Sequence, residues 1–319
     1  MTSPLTHAAP HRGPSRARRR ARLAITASAL IFLGVLGWLA SIGWNAIFNR
    51  PAKVTTMCQV VGPDEVYSMD PEQLLNASAI ANVAMKRDLP ARAVIVALAT
   101  AQQESKLRNL DYGDADSVGL FQQRPTQGWG TKAQILVPAY AAGKFFDALL
   151  KVPNWQDLPV TQAAYQVQHN AYPDAYKDWE PRATALTGAL TGTTTGQLTC
   201  RLAQPVTTGS VTATTTGLQT DLAINHPAVV PLDSKRTTIT VTGLSDAGSA
   251  DDTAAKHRTA TVAAWAIAHA ATDGITSVVV GDQAWRPDRD GWHTADQPAP
   301  PGAVVLTVTP GAGVGSGGP

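Results

Sequence analysis

A single glutamate, Glu104, closes an apolar run in Gln103-Glu104-Ser105, and Gly119-Leu120-Phe121-Gln122-Gln123-Arg124-Pro125-Thr126 begins fifteen positions after it. One carboxylic acid ahead of a polar, substrate-gripping loop is the minimum apparatus for breaking a glycosidic bond, whose leaving oxygen must be protonated. Val94, Ala97, Ala101 and Glu104 follow the three-and-four spacing of one helical face. Glu104 thus extends a stripe whose other members are expected to be buried. An apolar neighbourhood favours the neutral form of a carboxyl, which a general acid requires. A glutamate at a helix end is ordinarily a solvated surface residue, so the argument for chemistry rests on the Gly-Leu-Phe-Gln run at its spacing. Most glycosidases also need a second carboxylate. Asp111, Asp114 and Asp116 follow Glu104 in the loop; they read either as water-holding partners or as residues that cap local turns.

The elements that must position these residues announce themselves as helix starts. Asp70-Pro71-Glu72-Gln73 has a capping Asp, Pro at the first position and Gln at the third, and predicts a helix to about Arg87. Asp88-Leu89-Pro90 starts the helix that bears Glu104. Pro138 starts another, with Tyr140, Phe145, Phe146, Leu149 and Leu150 as its expected core. Pro159 precedes the helix of Tyr165, and Pro173 precedes a last one to about Leu190. The loop at 108–136 would floor a cleft. Within it Trp129, in Gln127-Gly128-Trp129-Gly130, reads as a sugar-stacking platform or as core.

Glu104-Ser105, then Gly119-Leu120-Phe121-Gln122 with Pro125-Thr126 behind it, then Ala164-Tyr165, resembles the lysozyme-like superfamily, in particular soluble lytic transglycosylases and goose-type lysozymes. Phe121 replaces the Met of the family pattern, and Gln166 stands where the family has Asn. The resemblance covers about 70–190, and its context looks like an actinobacterial, membrane-anchored branch. It implies that Glu104 is the general acid and then the base. In a transglycosylase it would deprotonate the sugar's own C6 hydroxyl, closing an anhydro ring. It further implies that Ser105 holds the Glu or the N-acetyl group, and that Gln122 and Tyr165 line the cleft and orient the substrate. Hydrolysis by a water held on Asp111, Asp114 or Asp116 is the other route.

Composition narrows the partners. Residues 1–50 carry seven Arg and no acidic residue, leaving 19 basic against 24 acidic groups in the rest of the 319-residue chain. That acidic bulk argues against nucleic acid as a main partner. From 23 to 44 the chain is apolar, and Arg16, Arg18, Arg19, Arg20 and Arg22 precede it. This predicts a single-pass transmembrane anchor with a cytosolic basic tail (1–22), a cleaved signal peptide being the alternative. Residues 51–319 would then lie outside the cell. Cys58 and Cys200 flank the 70–190 segment and would close it as one disulfide in an oxidising compartment, or remain two buried thiols. The scattered histidines show no metal spacing, and no cofactor or metal is expected.

Residues 191–220, rich in Thr and Gly, read as a linker. In 221–309, Thr237–Thr242 alternates as a strand, and Asp251 or Asp252 caps a helix with Val262, Trp265, Ala266 and His269 inside, ending at Gly274. Ile275–Val280 and Ala303–Val308 follow as buried strands. Trp265, Trp285 and Trp292 read as the core of this part, or Trp285 and Trp292 as its grip on glycan or a protein partner. Residues 310–319 read as a disordered tail.

The expected fold class is an all-α lysozyme-like domain (51–190) plus a small C-terminal α/β domain, preceded by an N-terminal transmembrane helix. The expected function is a membrane-anchored, extracellular enzyme cleaving the β-1,4 bond between N-acetylmuramic acid and N-acetylglucosamine in peptidoglycan. The alternative is a non-enzymatic wall-binding or assembly-scaffold protein that uses the same cleft.

Overall fold

Two short strands precede the first helix. β1 (Met57–Val61) and β2 (Val66–Met69) pair antiparallel, with Cys58 opposite Met69 and Val61 opposite Val66. On the other edge of β1 lies β3 (Leu198–Arg201), also antiparallel, with Cys58 opposite Cys200. The two cysteines form a disulfide across 142 residues, and both are buried. The computed structural model describes residues 56–169, 174–203, 209–224, 227–232, 236–244 and 252–309. The expected anchor at 23–44 and the tails at 1–22 and 310–319 lie outside the described residues. Among the described residues no helix is long and apolar enough to cross a membrane.

The motifs lie on two helices and in the loop that follows the first of them. α1 (Pro71–Lys86) forms the capping box expected of Asp70 and Gln73, each side chain accepting from the other's backbone N–H. α2 (Ala91–Ser105) follows Pro90, and buries Val94, Ala97 and Ala101 while Glu104 at its end is half-buried. After the short α3 (Lys132–Ile135), α4 (Pro138–Leu149) turns Phe145, Phe146 and Leu149 inward, and Phe145 stacks on Phe121 at 4.6 Å. Leu150, expected in that core, is 45% exposed because it caps the helix end beyond the last inward turn. α5 (Val160–Gln168) bears Tyr165. Then α6 (Glu180–Leu190) begins only after a single 3-10 turn at Lys177–Trp179, while Pro173 lies outside the described residues.

The expected fold class is corrected by these strands and those that follow. The protein is mixed α/β, with eight α-helices and nine strands in two antiparallel sheets among the described residues. The part expected to be all-α contributes β1 and β2, and β3 from the expected linker completes the sheet β2-β1-β3. Its strands are only four or five residues long, too short to show alternation, and β1 takes its second partner, β3, from chain 142 residues away.

The stretch 191–220 holds β3 and most of α7 (Val211–Leu222) rather than only linker. Threonine is a weak helix former because it is β-branched and its hydroxyl competes for the backbone. In α7 that competition is absorbed: Thr214 and Thr215 donate to the carbonyls of Ser210 and Val211 four residues back, and Ser210 caps the start by accepting from Ala213 N–H. Gly217 lets the indole of Trp265 come against the helix; a Cβ there would lie 2.5 Å from Trp265 Cζ2. Packing against α8 (Asp252–Asp273) thus overrides local preference.

β4 (Ala228–Pro231), β5 (Thr237–Val241), β6 (Ile275–Val280), β7 (Gln283–Trp285), β8 (Trp292–Thr294) and β9 (Val304–Val308) make one sheet in the order β4-β5-β9-β6-β7-β8, antiparallel throughout. α8 lies on β6 and also packs against α1 and α6. The indoles of Trp285 and Trp292 donate to the carbonyls of Cys200 and Leu198, so β7 and β8 are tied to the disulfide-bearing strand. Trp265 and Trp285 are buried in the core, and Trp292 is half-buried. Residues 54–319 accordingly form one compact unit.

Candidate active site

The end of α2 is held from three directions. Immediately after Ser105, Lys106 (φ 56°) and Leu107 (φ 60°) both adopt the left-handed conformation. That is a costly choice for non-glycine residues, and it persists only where surroundings enforce it. Here α1 enforces it: Gln73 Nε2 donates to Lys106 O at 2.7 Å, and the buried Asn76 Nδ2 donates to Leu107 O at 2.8 Å. Leu107 itself is fully buried. The chain therefore turns sharply just past the acid, and Glu104 is left half-buried at the rim.

The second constraint comes from the turn before α6. Tyr176, fully buried, donates its hydroxyl to Glu104 Oε1 at 2.8 Å, and Trp179 Nε1 donates to Gln103 Oε1 at 2.6 Å. Glu104 Oε2 has no hydrogen-bond partner among the described residues. Lys106 Nζ lies 4.2 Å from the centre of the Trp179 ring, a cation–π contact. Burial holds the Lys106 ammonium below the usual lysine range, Arg182 adds to this, and Glu104 opposes it.

The third constraint joins the sequence motifs. Ser105 is buried and its hydroxyl donates to Leu120 O at 2.8 Å, with Ala101 O at 3.1 Å. Ser105 therefore ties the acid's helix to the Gly-Leu-Phe-Gln loop and is occupied with backbone rather than free for an N-acetyl group. Gln168 Nε2 on α5 donates to the next carbonyl, Phe121 O, at 2.8 Å. The loop is closed by a paired bridge between Val118 and Gln123, and Gly119 (φ 79°) and Gln122 (φ 47°) take its left-handed positions. A Cβ at Gly119 would also come within 3.0 Å of Ile135 O. Gln122 Oε1 accepts from Ser117 at 3.1 Å and its amide lies 3.3 Å from the carbonyls of Tyr112 and Gly119. Gln122 thus braces its own loop. Tyr165 is half-buried against the core on the same helix as Gln168.

The three motifs read from the sequence are brought together by Ser105, Leu120, Phe121 and Gln168. No protein-family model matches this chain, and no curated protein matches it. What it can do is therefore argued from this arrangement.

The remaining expected residues are dispersed. Trp129 lines a groove of about 620 Å³ with Gln166, His169, Lys144 and Lys151, and Glu104 is not among the residues lining it. Asp111 and Asp114 are exposed. Asp116 is engaged: it accepts from Thr126 Oγ1 at 2.7 Å, Thr126 N–H at 3.0 Å and Arg124 Nε at 2.6 Å. Those hydrogen bonds, Thr126 hydroxyl first, hold its carboxyl far below the usual carboxylate range. Among the described residues no group of three His, Cys, Asp or Glu side chains is placed to hold a metal ion.

The sequence reading missed Tyr176, Trp179, Lys106 and Gln168. Tyr176 and Trp179 sit in a stretch that reads as helix from Pro173, and nothing local says that a turn there aims two aromatic donors at α2. The spacing of Gln168, three after Tyr165, was the one available signal.

Two substitutions test this geometry. Tyr176→Phe keeps the buried ring and removes the hydroxyl, so kcat should fall about tenfold with KM nearly unchanged, the worth of one hydrogen bond to a charged group. A rise in KM with kcat intact would show that Tyr176 does not position Glu104. Asp116→Asn should lower the melting temperature at neutral pH by loosening the 124–126 segment. The depressed carboxylate stabilises the fold above its unfolded-state value of about pH 4. That contribution falls away only in stronger acid, so the acid limb of stability should flatten in Asp116→Asn. Thermal melts across pH 2–7 would show it, and coincident profiles for the two proteins would refute it.

Proposed function

We propose that this protein is a lytic transglycosylase-like enzyme that cleaves the β-1,4 bond between N-acetylmuramic acid and N-acetylglucosamine in peptidoglycan. The observation that carries the reading is the Glu104 carboxyl at the end of an apolar helix, held at Oε1 by the buried Tyr176 hydroxyl. The resemblance of the three motifs to lysozyme-like enzymes supports the same conclusion.

In this reading Glu104 Oε2 protonates the glycosidic oxygen as the C1–O bond breaks, and the positive charge developing at C1 is stabilised by the carboxylate left behind. The muramyl C6 hydroxyl then attacks C1 and returns its proton to Glu104, which closes the anhydro ring. The engagement of Asp116 with Arg124 and Thr126 favours this internal nucleophile over a water held by that aspartate. The disulfide suits an oxidising compartment. With the Arg-rich and apolar N-terminal sequence, it supports placement outside the cytoplasm, at the wall.

The test is to incubate the full-length protein with purified peptidoglycan and weigh the released fragments by mass spectrometry. Anhydro-muramyl ends are expected. Reducing ends would make the protein a hydrolase and return attention to Asp111 and Asp114. Binding without release would favour the scaffold reading.

A further inference from the structure

His269 of α8 sits where three helices meet, outside the site described around Glu104. α7 and α8 pack on each other, and both pack on α1. Lys86, the last residue of α1, donates to Thr220 O of α7 at 2.7 Å. The His269 ring stacks on the buried Trp265 indole with ring centres 4.0 Å apart, and 15% of its side chain is exposed. Its Nδ1 lies 2.8 Å from Trp265 O. A carbonyl only accepts, so Nδ1 carries the proton of the neutral ring and Nε2 is left as a bare acceptor. Nε2 lies 3.7 Å from Asp221 Oδ2 on α7, which already accepts from Trp265 Nε1 at 2.9 Å. Two acceptors thus face each other across the joint. They line a cavity of about 150 Å³ together with Asn76, Asn82 and Lys86 of α1.

The charged groups that face the ring are few. α1 brings Lys86, α7 brings Asp221 and α8 itself brings Asp273, while Pro138 and Ala139 at the start of α4 bring none. Burial holds the ring's proton affinity below the usual histidine range, against the pull of the Trp265 carbonyl, Asp273 and Asp221. We propose that the docking of α7 and α8 on α1 is an acid-sensitive latch, closed while His269 is neutral and opened when His269 takes a second ring proton. The closed joint binds that proton more weakly than the open one, so falling pH favours opening. Closure is at full strength above the open-state value of about pH 6.5 and weakens below it. Asn76 lines the same cavity, and its amide donates to Leu107 O just past Glu104. The latch therefore joins the C-terminal helices to the turn behind the acid, whatever substrate Glu104 acts on.

Amide hydrogen exchange of the full-length protein at about pH 7.5 and about pH 5 tests the latch, after correction for the intrinsic pH dependence of exchange. Protection in α7 and α8 should fall about tenfold at the lower pH, and that of the core helix α2 by less than about twofold. His269→Asn keeps a donor near the place of Nδ1 and cannot take the proton, so its protection should be the same at both pH values. An equal loss in the parent and in His269→Asn would overturn the latch. So would a rise in protection of the parent in acid, which would mean that a His269–Asp221 ion pair closes the joint instead. Should His269→Asn fail to fold, an NMR titration of the His269 ring in the parent decides. A midpoint below about pH 6.5 is expected, and one above it would overturn the latch. None of these outcomes bears on the cleavage assigned to Glu104, which fragment release tests separately.

Discussion

Glu104→Gln should abolish release of fragments from peptidoglycan, lowering turnover by a factor on the order of 10³ or more. The amide keeps the shape of the side chain and can still meet the Tyr176 hydroxyl, so the fold and substrate binding should persist. What is lost is the proton for the leaving oxygen and the base that later takes one from the C6 hydroxyl. Among the described residues none of the three loop aspartates hydrogen-bonds to Glu104. Asp116 is committed to Arg124 and Thr126, and Asp111 and Asp114 stand exposed in the loop. The measurement is fragment release against time for both proteins, alongside binding to the same polymer. Undiminished release by Glu104→Gln would falsify the assignment of the acid.

Removing the disulfide should cost about 4–5 kcal/mol of stability, by the entropy regained by an unfolded chain no longer closed across so long a loop. Cys58 and Cys200 sit directly opposite on β1 and β3, 142 positions apart, and the chain between them includes every element around Glu104. The bond also anchors more than its own sheet, because Trp285 Nε1 donates to the Cys200 carbonyl. The double variant Cys58→Ala/Cys200→Ala should therefore show a lower denaturation midpoint in urea, with the signals of the helices and of the tryptophans lost together. A midpoint within about 1 kcal/mol of the parent would mean that the pairing of β1 with β3 is set by packing alone.

How much of this was open to reading in the chain varies by element. The start of α1 was legible because a capping box is a contract between residues three apart, Asp70 and Gln73, with Pro71 between them. The face of α2 was legible because Val94, Ala97, Ala101 and Glu104 share it by geometry alone. The helix α7 was hidden, since its threonines and Gly217 argue for a linker until Trp265 packs against it. The sheet β2-β1-β3 was hidden for a related reason: each strand is too short to carry its own pattern, and β1 meets β3 only far along the chain.

The site divides in the same way. By itself the sequence determined which carboxyl ends the apolar helix, which loop follows it at a fixed distance, and which two cysteines bound the segment. These are properties of neighbours, set by helical periodicity and by turn chemistry. Only the tertiary structure decided what those residues touch. It turned Ser105 toward Leu120 O, committed Asp116 to Arg124 and Thr126, and brought Tyr176, Trp179 and Lys106 around the end of α2. Those contacts join residues some 8 to 76 positions apart, and their strength depends on burial and on the direction of single donors. Both come into being when the elements pack, and no local pattern encodes them.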